Sequence, residues 1–373
     1  MRIGIDARSL AGQRTGIGTY LHELLIEFAN IGFEHEFVLY SNRPILLDFS
    51  LPNNWKIVID PAPLGTLWLL VVLPRLIARD CINSFWGPSQ VLPFLNGKVK
   101  TVLTVHDLAL IVLPEVGTFY NRLIAKFLWK KSCIFADTII ADSASTKKDI
   151  ESLFNIDAIK IIVAYLGVRD DPQIDIISNA ELDSIFNRRF NSMSYFLFLG
   201  TIEPRKNVDL IIDAYNEYRK CQIGNQLLVL AGRFGWKYSN IVQKLSQSPY
   251  RRDIIILGYI PEAIKKQLLR SAVAFLFPSK YEGFGLPILE AFAQGTPVIT
   301  LRNSSLPEVG GECAYYLEKE EGVIGLAKLM TNVANFSTKE RLTLGEECKR
   351  QKNKFSWSNS AKSILNCLTS RYD

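Results

Sequence analysis

Apolar residues along this chain fall into short runs, and between them lie stretches whose apolar positions repeat at helical spacing. Strands are predicted over residues 2–7, 36–40, 56–59, 81–85, 101–105, 137–141 and 160–164. A helix is predicted over 20–30, and another after residue 142, where Ser143 or Ser145 is the expected cap. The rhythm restarts with strands over 195–200, 226–231, 253–257, 272–277 and 297–300, and with helices over 208–220, 261–270 and 286–294. The runs YFLFLG, QLLVLA and AVAFLF are apolar almost throughout, as strands covered on both faces are. Strands alternating with helices imply an α/β chain of doubly wound parallel sheets. At roughly 100–200 residues per domain, 373 residues make two.

The rhythm breaks over 167–191, a stretch that begins polar and acidic at Arg169-Asp170-Asp171-Pro172. The expected domains are therefore residues 1–175 and 190–356. Residues 339–354 are helical, and 357–373 form a C-terminal helix for which a return to the first domain is one reading, left open by the helix's own pattern. The longest apolar stretch, 64–78, contains Pro74 and Arg75. It falls short of the ~20 residues of a membrane span and is expected to be a buried helix.

Charge changes the picture in one respect. Residues 1–185 hold 17 Lys/Arg and 20 Asp/Glu, whereas 186–373 hold 26 and 17. The basic excess is either scattered surface charge or a preference for a phosphate-bearing ligand. No cationic cluster is interleaved with aromatics, so nucleic acid is not expected as a partner. The six cysteines include no CxxC pair and no zinc spacing, which suggests a reducing compartment. The opening MRIGID reads as a strand and not as a signal peptide, and a cytoplasmic location is expected. Residues 121–135 carry Arg122, Lys126 and Lys130 at four-residue spacing. Such a stripe is either a solvated face or a peripheral contact with the inner face of an anionic membrane.

Candidate chemistry centres on EGFGLPILE. Gly283 and Gly285 let backbone approach a ligand around Phe284. Leu286 and Pro287 open a helix whose N-terminus attracts phosphate. Glu282 stands in the loop and Glu290 one turn into the helix. A carboxylate can accept both hydrogen bonds of a ribose diol, and a second can orient sugar hydroxyls. His106 ends an apolar strand, where it is either a satisfied core histidine or a site residue. Gly16-Ile17-Gly18 reads as a loop after the first strand, offering N–H groups to phosphate or acceptor, or simply as a tight turn. Tyr40-Ser41-Asn42 offers no acid at the end of the second strand, which argues against a dinucleotide. No D-x-D occurs and His22, His35 and His106 are scattered. No metal and no cofactor are therefore expected.

The two glutamates in EGFGLPILEA resemble the signature of the retaining family 4 glycosyltransferases with the GT-B fold. Gly200-Thr201-Ile202-Glu203-Pro204-Arg205-Lys206-Asn207 resembles that family's phosphate loop. Leu230-Ala231-Gly232-Arg233 resembles its strand end, Ser304–Val309 a later segment, and Val105-His106-Asp107-Leu108 its N-domain catalytic loop. The resemblance implies two Rossmann-like domains facing across a cleft. It also implies that Glu290 holds the donor ribose, that Glu282 contacts the donor sugar, and that Lys206 and Arg205 neutralise the departing diphosphate. His106 would lie beside the donor sugar. Gly16, Gly200, Thr201, Gly232, Arg233 and the Gly283–Leu286 turn would line the donor site. Many relatives carry Arg where Thr201 stands, so Arg205 is expected to supply that charge.

The implied activity is a retaining, metal-independent hexosyl transfer from a nucleotide-sugar to a saccharide or lipid-linked saccharide in surface polysaccharide assembly. GDP-mannose is the favoured donor, with UDP-glucose next and a dTDP-sugar open. Front-face attack and double displacement through Glu282 both remain open. A sugar-nucleotide epimerase or a phosphorylase on the same fold is the alternative.

Overall fold

The computed structural model describes all residues except 13, 15, 63–64, 114, 170–178, 187–192, 222–224 and 371–373. The chain divides into two compact units. Unit 1 comprises Met1–Gly167 with Ser356–Asp373, and unit 2 is Val168–Phe355. The expected boundaries at 175 and 190 fall on or beside residues outside the described set.

Unit 1 is built on strands β1 (Arg2–Asp6), β2 (Glu36–Ser41), β3 (Trp55–Ile59), β4 (Ser84–Gly87), β5 (Lys100–Val105), β6 (Thr138–Ala141) and β7 (Ile161–Val163). All neighbours pair in parallel, in the order β3-β2-β1-β4-β5-β6-β7. Its helices are α1 (Gly16–Ile31), α2 (Gly65–Leu67), α3 (Leu73–Arg79), α4 (Ala109–Val112), α5 (Phe119–Phe135) and α6 (Ala144–Phe154).

Helix α1 buries Tyr20, Leu21, Leu24, Leu25 and Phe28, the i, i+3/i+4 stripe of a helix laid on a sheet. Gly16 and Gly18 lie in its first turn and not in the loop expected of them. Ser143 caps α6 by accepting from the Thr146 N–H. The apolar stretch after residue 64 is helical through a π turn at Trp68–Val72, which joins α2 to α3. Pro74 is the second residue of α3, directly after that turn. Only one face is buried, through Trp68, Leu69, Leu73, Leu76 and Ile77; Leu67 and Val71 are exposed.

Unit 2 opens with helix α7 (Asn179–Phe186). Its strands are β8 (Tyr195–Leu199), β9 (Leu227–Ala231), β10 (Ile254–Gly258), β11 (Ala274–Phe277), β12 (Val298–Leu301) and β13 (Ala314–Leu317), all parallel, in the order β10-β9-β8-β11-β12-β13. Helices α8 (Val208–Lys220), α9 (Ser239–Gln247), α10 (Glu262–Ser271), α11 (Leu286–Ala293), α12 (Leu306–Gly310), α13 (Gly322–Ala334) and α14 (Thr338–Lys352) complete it. Every residue of β8, β9 and β11 is buried, as central strands covered on both faces must be.

The last helix, α15 (Trp357–Thr369), returns to unit 1 and packs on α1, β4 and β5. No described helix is long and apolar enough to cross a membrane.

Candidate functional site

In each sheet the strand order reverses once, between β1 and β4 and between β8 and β11. Parallel sheets of this kind bind ligands beyond the carboxyl ends of the strands flanking the reversal. In unit 2 those ends carry the segment after β8 and the loop after β11.

Pro204–Lys206 makes one 3-10 turn ahead of α8. It aims Arg205 and Lys206 at the loop after β11. The Lys206 ammonium donates to Glu282 Oε1 at 2.5 Å, and Arg205 Nη1 donates to Glu282 Oε2 at 3.0 Å and to the Tyr281 carbonyl at 3.0 Å. Arg205 Nε donates to Glu203 Oε1 at 3.1 Å. Lys206 also lies 4.8 Å from the centre of the Phe277 ring.

These side chains are nearly closed off, with 11% of Lys206 and 12% of Glu282 exposed. Burial pushes the Glu282 carboxyl up, but Lys206 and Arg205 more than reverse this and hold it below the ordinary glutamate value. Burial lowers the Lys206 ammonium; Glu282 opposes this and the neighbouring Arg205 adds to it, so the net shift is downward. The cluster is thus a compact group of two cations and two carboxylates in which Glu282 is bonded through both oxygens.

The loop around Glu282 is held from the next strand end. Ser304 Oγ accepts from the Glu282 N–H, and Ser305 donates to the Glu282 and Phe284 carbonyls. Gly283 and Phe284 lead to Gly285, which precedes Leu286 at the start of α11 with φ +117°. That left-handed value favours glycine. On the other flank, a Cβ on Gly232 would lie 1.8 Å from the Gly200 carbonyl oxygen, so the ends of β8 and β9 can approach this closely only with glycine there. Thr201 packs beside Gly235. The Arg233 guanidinium sits 4.8 Å over the Tyr259 ring, which is 59% exposed, and not on the charged cluster.

Glu290 projects from α11 to a different partner. Its Oε1 accepts from Lys265 of α10 at 2.7 Å, and Lys265 also reaches Glu262 at 2.9 Å. Burial raises the Glu290 carboxyl and Lys265 counteracts it only in part.

In unit 1, His106 follows β5. Its Nδ1 lies 2.7 Å from Asp142 Oδ2 and its Nε2 2.8 Å from the Pro88 carbonyl. Tyr20 of α1, the helix that begins at Gly16, meets the ring edge-on with centroids 4.7 Å apart. Asp107 accepts from the Ala109 N–H and so caps the turn into α4. No group of metal-binding side chains was found among the described residues.

Sequence reasoning thus identified Arg205, Lys206 and Glu282, which the structure brings together. It missed Glu203, Ser305, Lys265 and Asp142. The first lay within a quoted motif, as did Ser305. Lys265 and Asp142 meet their partners only through tertiary packing, 25 and 36 residues apart in sequence, and no local pattern marks them.

Comparison with known proteins places the chain in a family. The family described as "Glycosyltransferase Family 4" matches residues 14–171, and "Glycosyl transferases group 1" matches 183–341. The chain is 29% identical over 288 residues to "O-antigen chain mannosyltransferase B" of Escherichia coli, covering 76% of this chain and 73% of that protein. It is 27% identical over 296 residues to "Serotype-specific mannosyltransferase WbdA" of the same organism, covering 75% of this chain but only 35% of that one. Among solved structures, that of WaaG, "a glycosyltransferase involved in lipopolysaccharide biosynthesis", superposes with a TM-score of 0.74 at 15% identity, covering 100% of both chains. At that identity the likeness speaks for the two-unit fold.

Proposed function

We propose, from the premise that this chain belongs to the family 4 glycosyltransferases with the GT-B fold, that it transfers mannose from GDP-mannose, with retention, to a saccharide or lipid-linked saccharide of a surface polysaccharide. The mannosyltransferase relatives support the sugar; UDP-glucose is the second donor to test. The observation that carries the reading is the charged cluster at the strand reversal of unit 2. Two fixed cations, Arg205 and Lys206, stand where a diphosphate would lie if ligands bind at the strand ends. Preorganised cations of this kind stabilise negative charge as a leaving group departs.

Both Glu282 oxygens are already engaged by those cations. A carboxylate so held is a poor nucleophile. Its geometry favours a route in which the acceptor hydroxyl attacks on the face the diphosphate leaves and the departing phosphate takes the proton. An arriving diphosphate shares Arg205 and Lys206 with Glu282, and the carboxylate, still held by them, accepts from the sugar hydroxyls through its remaining lone pairs. Glu290 would hold the ribose. The reaction needs no metal in this scheme, because the cations are the protein's own. The acceptor is met at the inner face of a membrane, with α5 as the peripheral contact.

Nucleotide release from GDP-mannose, UDP-glucose, UDP-galactose, UDP-glucuronate and dTDP-rhamnose tests the reading, for wild type, Lys206→Ala and Glu290→Ala, each with and without EDTA. Release from GDP-mannose is expected, unaffected by EDTA. Lys206→Ala should lower kcat by about 10²–10³-fold, as loss of one preorganised donor does, and Glu290→Ala should raise the donor KM. Absence of release and of nucleotide binding across the panel overturns the donor reading.

A further inference from the structure

A charge pair between α10 and α11 is not used by the chemistry above. Lys265 reaches across from the first turns of α10 to Glu290 on α11, and Glu262 is the second carboxylate on the same ammonium. Lys265 and Glu290 are 20% and 22% exposed, whereas Glu262 is 58% exposed and lies in water. Glu290 therefore depends on Lys265 far more than Lys265 depends on Glu262. The pair also leaves Glu290 half engaged: Oε1 is held and Oε2 has no partner among the described residues.

We propose that Lys265 is a positioning residue of the donor site, fixing the Glu290 carboxylate so that its open oxygen meets a ribose hydroxyl. This rests on the reading of Glu290 as the ribose-binding group. A diol donates two hydrogen bonds, and only an ionised carboxylate accepts both without a competing proton. Lys265 keeps Glu290 in that form by opposing the rise that burial imposes. The charged groups acting most strongly on Glu290 are Lys265, Glu262 and Lys266, all from α10. Helix α11 also packs on β11, β12, α12 and α14, and none of these contributes a charge among the largest influences. With Lys265 gone, burial and Glu262 both favour the protonated acid. The site then loses its ribose acceptor on the acidic side of neutrality and regains it as the pH rises.

The test is the donor KM and kcat, with GDP-mannose and UDP-glucose, for Lys265→Met, Lys265→Arg, Glu290→Gln and the double variant Lys265→Met/Glu290→Gln, at about pH 6 and about pH 9, either side of neutrality. GDP and UDP affinities by calorimetry give the same comparison without turnover. Lys265→Met should raise the donor KM about tenfold or more at the lower pH, the effect of one hydrogen bond to a charged group. At the higher pH most of that loss should be recovered, with kcat within about twofold of wild type throughout. Lys265→Arg should keep the wild-type profile, and Lys265→Met should add nothing in the Glu290→Gln background.

Lys265→Gln serves if the Met variant does not fold. A KM rise independent of pH, or one that adds fully to Glu290→Gln, overturns the proposal while leaving the ribose reading intact. A Glu290→Gln enzyme with wild-type donor KM and nucleotide affinity, or a wild type that binds neither GDP nor UDP, overturns both.

Discussion

The two ring nitrogens of His106 face only acceptors, the Asp142 carboxylate and the Pro88 carbonyl. With Asp142 ionised both nitrogens donate and the ring is an imidazolium; burial pushes the Asp142 carboxyl up, and His106 offsets that only in part. Burial works against that charge, but the pull and hydrogen bond of Asp142, the Pro88 carbonyl and Asp107 outweigh it, and the His106 pKa is raised. A raised histidine pKa contributes stability that is fully present below the unfolded value of about 6.5 and is lost as the pH rises through the folded value. Asp142→Asn removes the chief attraction and leaves only the Pro88 carbonyl and Asp107 to oppose burial. The His106 titration midpoint, followed by NMR of the ring protons, should move to lower pH. The variant should lose about 1.5–3 kcal/mol of stability on the acidic side, and less once the pH has risen through the folded-state midpoint of the wild-type ring. An unmoved midpoint would show that Asp142 does not hold the proton there. Sequence alone pointed to His106 through its position after an apolar strand, but its partner enters from the end of β6. A donor-sugar contact at His106, which the family resemblance implies, would use a ring already bonded on both sides.

Helix α5 shows how an element can be located from sequence and yet present a different face from the one expected. Arg122, counted in the cationic stripe, turns to the α4 carbonyls of Leu110 and Ile111. Lys126, Lys130 and Lys131 remain exposed, beside Phe119, Tyr120, Leu123, Ile124 and Phe127, each at least 40% exposed. The helix contains no acidic residue. Five large apolar side chains in water are costly, and a helix that joins them to cations suits an anionic bilayer. Cosedimentation with vesicles of phosphatidylcholine alone and of phosphatidylcholine with one-third phosphatidylglycerol tests this. At about 1 kcal/mol per lysine, Lys126→Gln/Lys130→Gln/Lys131→Gln should weaken binding to the anionic vesicles by roughly 150-fold, and salt should weaken it further. Equal binding to both lipids, or to neither, would remove the membrane from the account of α5. Other elements were missed for plain reasons. Strand β13 is a four-residue edge with Tyr315 and Tyr316 only half-buried. Helix α9 buries just Ile241 and Leu245, too few for a period to show. Helix α13 has Gly322 and Gly325 among its first four residues, which dilutes its helical signal. Strands such as β8, β9 and β11 were legible because burial on both faces removes polar residues altogether.

At the scale of the whole molecule, sequence locates every strand but β13 and says nothing of their order. The reversal between β8 and β11 that puts Lys206 beside Glu282 exists only once the sheet is assembled. The same holds for the chain's last helix, whose partner could not be read from its own pattern. Helix α15 buries Trp357, Ala361, Ile364, Leu365 and Leu368 in unit 1. The Trp357 ring meets Tyr20 of α1 edge-on at 6.1 Å, Ser360 donates to the Tyr165 carbonyl, and Lys100 of β5 donates to the Ser370 carbonyl at 2.8 Å. A Cβ on Gly167 would lie 2.4 Å from the Trp357 nitrogen, so the chain leaves and re-enters unit 1 at nearly one point. Unit 1 is thus closed by residues that follow all of unit 2 in sequence, and it can be complete only after unit 2 has been made. Trp357→Ala should cost about 3–5 kcal/mol, a large part of the 5–15 kcal/mol typical of a domain, and the cost should fall on unit 1. Hydrogen exchange should then accelerate in β1, β4, β5 and α1 while β8, β9 and β11 keep their protection, because cooperative units open separately. Equal acceleration in both units would mean that they unfold as one, and α15 would then be a brace for the entire molecule.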